Sequence, residues 1–333
     1  MTNISLQDLR GLAKRVLLAS KTSEENATSV ASALVKADAD DIPSHGISRL
    51  PMYADQSKCG KVDGFAEPIA TKRNGAVVHI DGRCGFSYPA IDLGLYKAFQ
   101  IVKETGVVAL AIGNSSHAGV IGHHVERIAN LGLAAIAFVN TPAAISPWGG
   151  SKPLYGTNPI AFACPRPETF PLVIDLSISK VARGKIKLAK DKGDKIPDNW
   201  ARDANGQPTN DAKAVIQGGS ILPIGNAKGA ALALMVELMG AAMTGSQFGF
   251  EASSFLDTKD GPSKTGQFFF IFKPENFGGD GVFARIETLI KEINNQPGTR
   301  IPGQRRFETR AIAETRGVNI PDILLRSLSL RVE

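Results

Sequence analysis

With 333 residues and a mass of 35.3 kDa, the chain can bury a large core and has length for two or three interleaved subdomains. Hydrophobic residues at 43% and charged residues at 21% exclude a disordered chain, and a formal charge of +6 spread along the sequence excludes a nucleic-acid tract. Cys59, Cys84 and Cys164 are too scattered for a disulfide framework or a Cys-x-x-Cys metal site.

The N-terminus has no apolar leader core, and no window reaches the roughly 18 uninterrupted apolar residues of a membrane span, so a cytoplasmic protein is expected. Residues 5–20 carry apolar side chains at helical spacing, and Thr22-Ser23 followed by Glu24-Glu25 caps a second helix running to about Asp40. A third helix is expected from about His45 to Gln56. Strands are expected at Ala76–Gly82, Val107–Ile112, Ala134–Asn140, Ile160–Ala163, Leu172–Asp175 and Gln267–Phe272. Helices fall at Pro89–Thr105, Gly122–Leu131, Ala230–Thr244 and Val282–Asn294, and the tail from Arg306 to Arg331 reads as two short helices parted near Gly317. Residues 141–165 are mostly loop, and 191–210 are polar and turn-rich. The alternation describes α/β material with both strand directions in one sheet.

Ser44-His45-Gly46-Ile47-Ser48-Arg49 is the most chemical stretch. On one helix, positions 45 and 49 share a face, setting a group that exchanges protons near neutral pH beside a planar fork for a carboxylate. The same string also reads as a helix cap with a solvated arginine. A strict Gly-x-Gly-x-x-Gly is absent; the looser form at Gly279–Ala284 lacks a strand–helix–strand context and reads as the start of a helix. His117, His123 and His124 have no accompanying ligand set, so no metal is expected. Gly113–Gly122 follows a strand and opens a helix, which either lets backbone amides approach phosphate or uses glycine for turn geometry alone. Four further segments recur at element ends: Tyr155–Pro159, Asp175-Leu176-Ser177, Arg183-Gly184-Lys185 and Pro223–Gly229 with Lys228. The basic run Arg300, Arg305, Arg306, Arg310 is an anion site or solvated surface.

In this order the segments resemble the malate/L-lactate dehydrogenase family of the non-Rossmann type, nearly end to end. The later half, with Met235–Leu238, Ala242–Gly245, Thr265-Gly266-Gln267 and Ile301-Pro302-Gly303, looks most like its Δ1-piperideine-2-carboxylate/Δ1-pyrroline-2-carboxylate reductases. The resemblance implies an α/β fold with a mixed, largely antiparallel cofactor sheet and a helical domain from both chain ends. Residues 1–60 plus 300–333 would form the helical domain and 61–299 the cofactor- and substrate-binding core of two interleaved subdomains. It further implies a homodimer in which His45 donates the proton, Ser44 relays it, and Arg49 and Thr157 hold the substrate carboxylate.

The implied cofactor segments are His117, Ala118, Gly119, Val120 and Ile121; Asp175, Leu176 and Ser177; Arg183 and Gly184; Lys228; and Gly303, Arg305, Arg306 and Thr309. The Arg305-Arg306 pair favours NADPH, with NADH the alternative. The expected reaction is NAD(P)H-dependent reduction of a cyclic 2-imino acid to L-proline or L-pipecolate. Lys185 stands where those reductases place a relay aspartate, as in the hydroxy-acid dehydrogenases, and keeps open an NAD(P)-dependent 2-hydroxy-acid dehydrogenase acting on malate, lactate, ureidoglycolate or sulfolactate.

Overall fold

The computed structural model describes residues 1–332. A short strand β1 (Thr2–Ile4) precedes α1 (Leu6–Leu18), α2 (Glu24–Ala39) and α3 (Leu50–Cys59). Then come β2 (Ile69–Asn74), β3 (Val77–Asp81), α4 (Ser87–Thr105), β4 (Val107–Ser115), α5 (Ile121–Ala129), β5 (Ala134–Val139), β6 (Ile160–Cys164) and β7 (Leu172–Leu176). The middle continues through α6 (Arg183–Lys192), β8 (Ala201–Arg202), α7 (Ala212–Ile216), β9 (Ser220–Ile221) and α8 (Ala227–Gly240). The chain closes with β10 (Thr265–Phe272), α9 (Glu275–Gly278), α10 (Val282–Asn294), α11 (Gln304–Arg316), β11 (Val318–Ile320) and α12 (Asp322–Ser329).

The central sheet runs β2-β3-β4-β10-β5-β6-β7. Only β3 and β4 pair in parallel; every other neighbour is antiparallel. The β3–α4–β4 crossover explains the exception, because parallel neighbours need a long connection and α4 supplies it. Phe269 and Ile271 of β10 are fully buried at the sheet's centre, against Leu110 and Ile112 of β4 and the helices α4 and α5. The sheet is therefore mixed and largely antiparallel, as the resemblance implies.

A second core draws on both chain ends. Leu9, Val16, Val30 and Leu34 of α1 and α2 pack with Tyr53 of α3, Ile320 of β11 and Leu328 of α12. β1 pairs antiparallel with β11, and the N-terminal ammonium meets Asp322 at 2.8 Å, so the two ends are stitched directly. α11 departs from this unit in one respect: its Phe307 packs into the sheet core.

Local pattern missed α6 and β2 among the longer elements, together with several short ones. α6 buries only Ile186, so its lysine-rich sequence carries no apolar period. β2 lies at the sheet edge, where pairing on one side suffices. Ala227–Thr244 is long and apolar enough by composition to cross a membrane. Here Ala233 and Val236 of α8 instead bury with Phe138 and Ile178 beside the sheet.

Candidate active site

Between α2 and α3 the chain makes two consecutive 3-10 turns, Pro43–His45 and Ile47–Arg49, rather than the start of one helix. His45 and Arg49 therefore do not share a face of one α-helix as expected. The cause lies in α2. The Asp38 carboxylate accepts the Ile47 backbone N–H at 2.6 Å, which holds Gly46 extended at φ −88° and ψ −150°. A Cβ on Gly46 would overlap that carboxylate, so glycine is required there by close approach. Burial raises the Asp38 pKa to about 6 against the stabilising Ile47 hydrogen bond.

The turns nevertheless keep the pair together. Ser44 Oγ lies 3.0 Å from His45 Nδ1, and Arg49 Nε donates to the Ser44 carbonyl at 2.7 Å. The His45 ring stacks on His117 with centroids 5.5 Å apart, bringing the first candidate segment onto the second. His117 Nδ1 is 2.6 Å from the Tyr53 hydroxyl, which in turn lies 3.2 Å from the Tyr88 hydroxyl. Burial, and then the neighbouring Arg49 charge, lower the His45 pKa to about 4, and burial drives His117 well below its ordinary value. Both imidazoles are thus neutral near pH 7.

His123 and His124 turn to partners of their own. His123 Nε2 meets Asp40 at 2.8 Å, and His124 Nε2 meets the Ala118 carbonyl at 3.1 Å.

Several of the expected cofactor residues also converge. Gly122, at the start of α5, donates its N–H to Asp175 at 3.1 Å, and Arg306 of α11 pairs with the same carboxylate at 3.0 Å. His117 to Ile121 thus adjoin the end of β7 and the first turn of α11. Ser177 Oγ donates to the Thr157 carbonyl at 3.0 Å, and Ile224 N–H donates to Ile178 at 2.8 Å, which ties in the turn before Lys228. Gly303 opens α11 at φ +86° with its backbone against Val173.

Gly184, Lys228 and Arg305 are exposed, and among the described residues no side-chain hydrogen bond or ion pair joins Lys228 or Arg305 to the rest. The residues present fit a phosphate-bearing dinucleotide. Arg306 Nη1 is buried without a hydrogen-bond partner, and a Cβ on Gly122 would run into it. An unsatisfied guanidinium nitrogen beside a helix start is suited to an anion.

Thr157 sits in the loop after Tyr155, its N–H bonded to Thr141 Oγ1 at 2.9 Å. What shapes this loop is Glu237 of α8, a buried residue whose role no local motif signals. Its carboxylate accepts the N–H of Gly156 at 3.0 Å, Asn158 Nδ2 at 2.9 Å and the N–H of Gly249 at 3.1 Å. The available signal was a lone acid in an otherwise apolar helix segment. An amide at this position turns one acceptor into a donor facing donors. Glu237→Gln is therefore expected to lower unfolding free energy by about 2–3 kcal/mol in urea titrations, and a change below about 0.5 kcal/mol refutes the role.

The model of the malate/L-lactate dehydrogenase family matches residues 4–329. The chain belongs to this family. It is 49% identical over 307 residues to (2R)-3-sulfolactate dehydrogenase (NADP(+)) of Chromohalobacter salexigens, covering 92% of this chain and 91% of that one. It is 38% identical over 324 residues to Δ1-pyrroline-2-carboxylate reductase 1 of Burkholderia ambifaria, covering 96% and 95%. The Δ1-piperideine-2-carboxylate reductase structure from Pseudomonas syringae superposes with a TM-score of 0.93 at 35% identity, covering 99% of this chain and 100% of that one. As a member of the malate/L-lactate dehydrogenase family the chain is an oxidoreductase, and its fold is the family's mixed sheet rather than a doubly wound one.

Proposed function

We propose that the chain moves a hydride between NADP(H) and C2 of a small 2-hydroxy or 2-oxo acid. The observation that carries this reading is the Ser44–His45 pair at 3.0 Å with Arg49 anchored to the same turn. Ser44 fixes Nδ1 and leaves Nε2 to exchange the substrate's oxygen-bound proton. Arg49 and Thr157 hold the carboxylate and so fix C2 for transfer.

A bound nicotinamide supplies the hydride acceptor or donor. His117 to Ile121, Asp175 to Ser177, Gly184, Lys228 and Gly303 to Thr309 hold the cofactor, with Arg305 and Arg306 at the start of α11 favouring the extra phosphate of NADPH. The 49% identical relative is named for NADP(+), which supports the same choice. A substrate carboxylate on Arg49 offsets one cause of the low His45 pKa, so binding the acid makes the imidazole a better proton carrier.

Lys185 is exposed in the first turn of α6, and the 49% identical relative acts on a hydroxy acid; both support the hydroxy-acid reading. The second reading, reduction of a cyclic 2-imino acid, is favoured by relatives named Δ1-pyrroline-2-carboxylate reductase at 34–38% identity. α8 exposes Leu232, Leu234 and Leu238 on its outer face, which supports a homodimer, and the free thiols support the cytoplasm.

Initial rates of NADPH oxidation with pyruvate, oxaloacetate, 3-sulfopyruvate and Δ1-pyrroline-2-carboxylate test the choice. The highest kcat/KM is expected for a linear 2-oxo acid. A tenfold advantage for the cyclic imine establishes the second reading instead.

A further inference from the structure

The C-terminal end of α2 carries two aspartates, two positions apart, in opposite surroundings. Asp40 is buried against the Arg310 guanidinium and His123. Asp38 forms no ion pair among the described residues, and its carboxylate accepts the Ile47 backbone N–H at 2.6 Å. Burial raises its pKa to about 6, that bond opposes the rise, and no charged group contributes.

The charged groups on the elements packed around α2 are engaged elsewhere. Lys36 pairs with Glu126, Asp92 of α4 with Arg127, and Arg306 of α11 with Asp175. Asp8 of α1 accepts from the Ser5 hydroxyl, Arg49 donates to the Ser44 carbonyl, and His45 is neutral. A carboxylate drawn out of water with no cation beside it costs the fold stability. Such a group is retained for something other than the fold.

The turn after α2 supplies that reason. Ile47 lies two residues after His45 and two before Arg49, so the Asp38 bond sits midway between them. The nearest atoms that a Cβ on Gly46 would meet all belong to the same carboxylate, which therefore shapes the turn by contact as well. Ile47 and Leu50 are buried in the helical core and seat the turn whatever side chain stands at position 38.

We propose that Asp38 is a positioning residue for proton transfer: its ionised carboxylate, through the Ile47 N–H, holds His45 and Arg49 in register with the substrate. This rests on the hydride-transfer reading above. Protonation of Asp38 replaces a charge-assisted hydrogen bond with a neutral one about half as strong. The turn then gains freedom, and a small displacement of the imidazole is enough to slow transfer.

Asp38→Asn keeps an oxygen for the Ile47 amide and removes the charge. In wild type, kcat/KM for oxidation of a 2-hydroxy acid is expected to fall as pH drops through about 6, above the His45 limb at about 4. Asp38→Asn is expected to lower kcat about tenfold at pH 8, leave the NADPH Kd unchanged and lose the limb near pH 6. Stability moves the other way. A folded-state pKa above the ordinary 3.8 gives a contribution that is present at low pH and lost as pH rises through about 6. At pH 8 the urea midpoint of Asp38→Asn is therefore expected at or above that of wild type. A limb near pH 6 retained in Asp38→Asn, turnover within about twofold of wild type, or a fall in midpoint accompanying the lost turnover overturns the assignment.

If wild type turns over no 2-hydroxy, 2-oxo or cyclic 2-imino acid, the functional reading fails, and the Ile47 amide decides separately whether Asp38 controls the turn. Its resonance in protein labelled with nitrogen-15 isoleucine is expected to shift with a midpoint near pH 6 in wild type and not in Asp38→Asn. An amide that does not titrate in wild type, or that titrates in both proteins, overturns that control.

Discussion

His45→Ala lowers kcat by about 10²- to 10⁴-fold while leaving NADPH affinity near that of wild type, because the substitution removes the group that carries the proton and not the cofactor cradle. Arg49→Ala, by contrast, mainly raises KM for the carboxylate substrate. In the free protein His45 is neutral down to about pH 4, held there by burial and then by Arg49. Neutral His45 is ready to accept the hydroxyl proton in oxidation, so that direction loses activity as pH falls through the imidazole pKa. Reduction needs the protonated ring and loses activity as pH rises through it. Substrate binding to Arg49 moves the controlling pKa of kcat above that of kcat/KM. Rate–pH profiles in both directions check this, and near-normal turnover in His45→Ala removes the histidine from the mechanism.

Arg310→Leu is expected to destabilise the protein by about 3–5 kcal/mol, a fall in Tm on the order of 10 °C. The guanidinium bridges two carboxylates, donating to Asp40 at 2.6 and 2.7 Å and to Glu126 at 2.6 and 2.9 Å. Asp40 and Glu126 are buried, and without Arg310 they keep only Lys36 at 3.0 Å from Glu126 and His123 at 2.8 Å from Asp40. His123 is itself held neutral by burial, despite Asp40. Losing the arginine therefore leaves buried negative charge undercompensated.

The pH dependence carries the same sign. Burial opposes Asp40 ionisation, but Arg310 and His123 outweigh it and set the Asp40 pKa at about 2, below the ordinary 3.8. That stabilisation is complete above about pH 4 and is lost as pH falls through about 2. Arg310→Leu removes the arginine's share of this contribution and leaves that of His123, flattening the acid limb of the stability curve. Because α11 also carries Arg306 to Asp175, loosening it should weaken NADPH binding as well. Urea unfolding from neutral pH downward measures the effect, and a loss below 1 kcal/mol refutes the bridge.

Much of this molecule was legible from local pattern. Val282–Asn294 forms a helix over the range its apolar spacing predicts, and the short apolar runs at 134–140 and 267–272 form neighbouring strands of the sheet. Burial of one face leaves a period in the sequence, so elements and their ends can be read one window at a time. The order of short motifs around Ser44-His45 and Gly113–Gly122 gave the family for the same reason: each lies at the end of an element that pattern locates.

Tertiary structure decided what depends on distant partners. Gly46 breaks the helix expected from Ser44 because Asp38, on another element, captures the Ile47 amide. Arg310, grouped by sequence with a basic run read as an anion site or solvated surface, is half-buried against Asp40 and Glu126, 270 and 184 positions away. Glu237 gains its purpose only when the 156–158 loop and Gly249 fold onto it. A charged side chain leaves no periodic trace of its partner. Pairing is set by the sheet order and by two chain ends sharing one core, and no local window contains either.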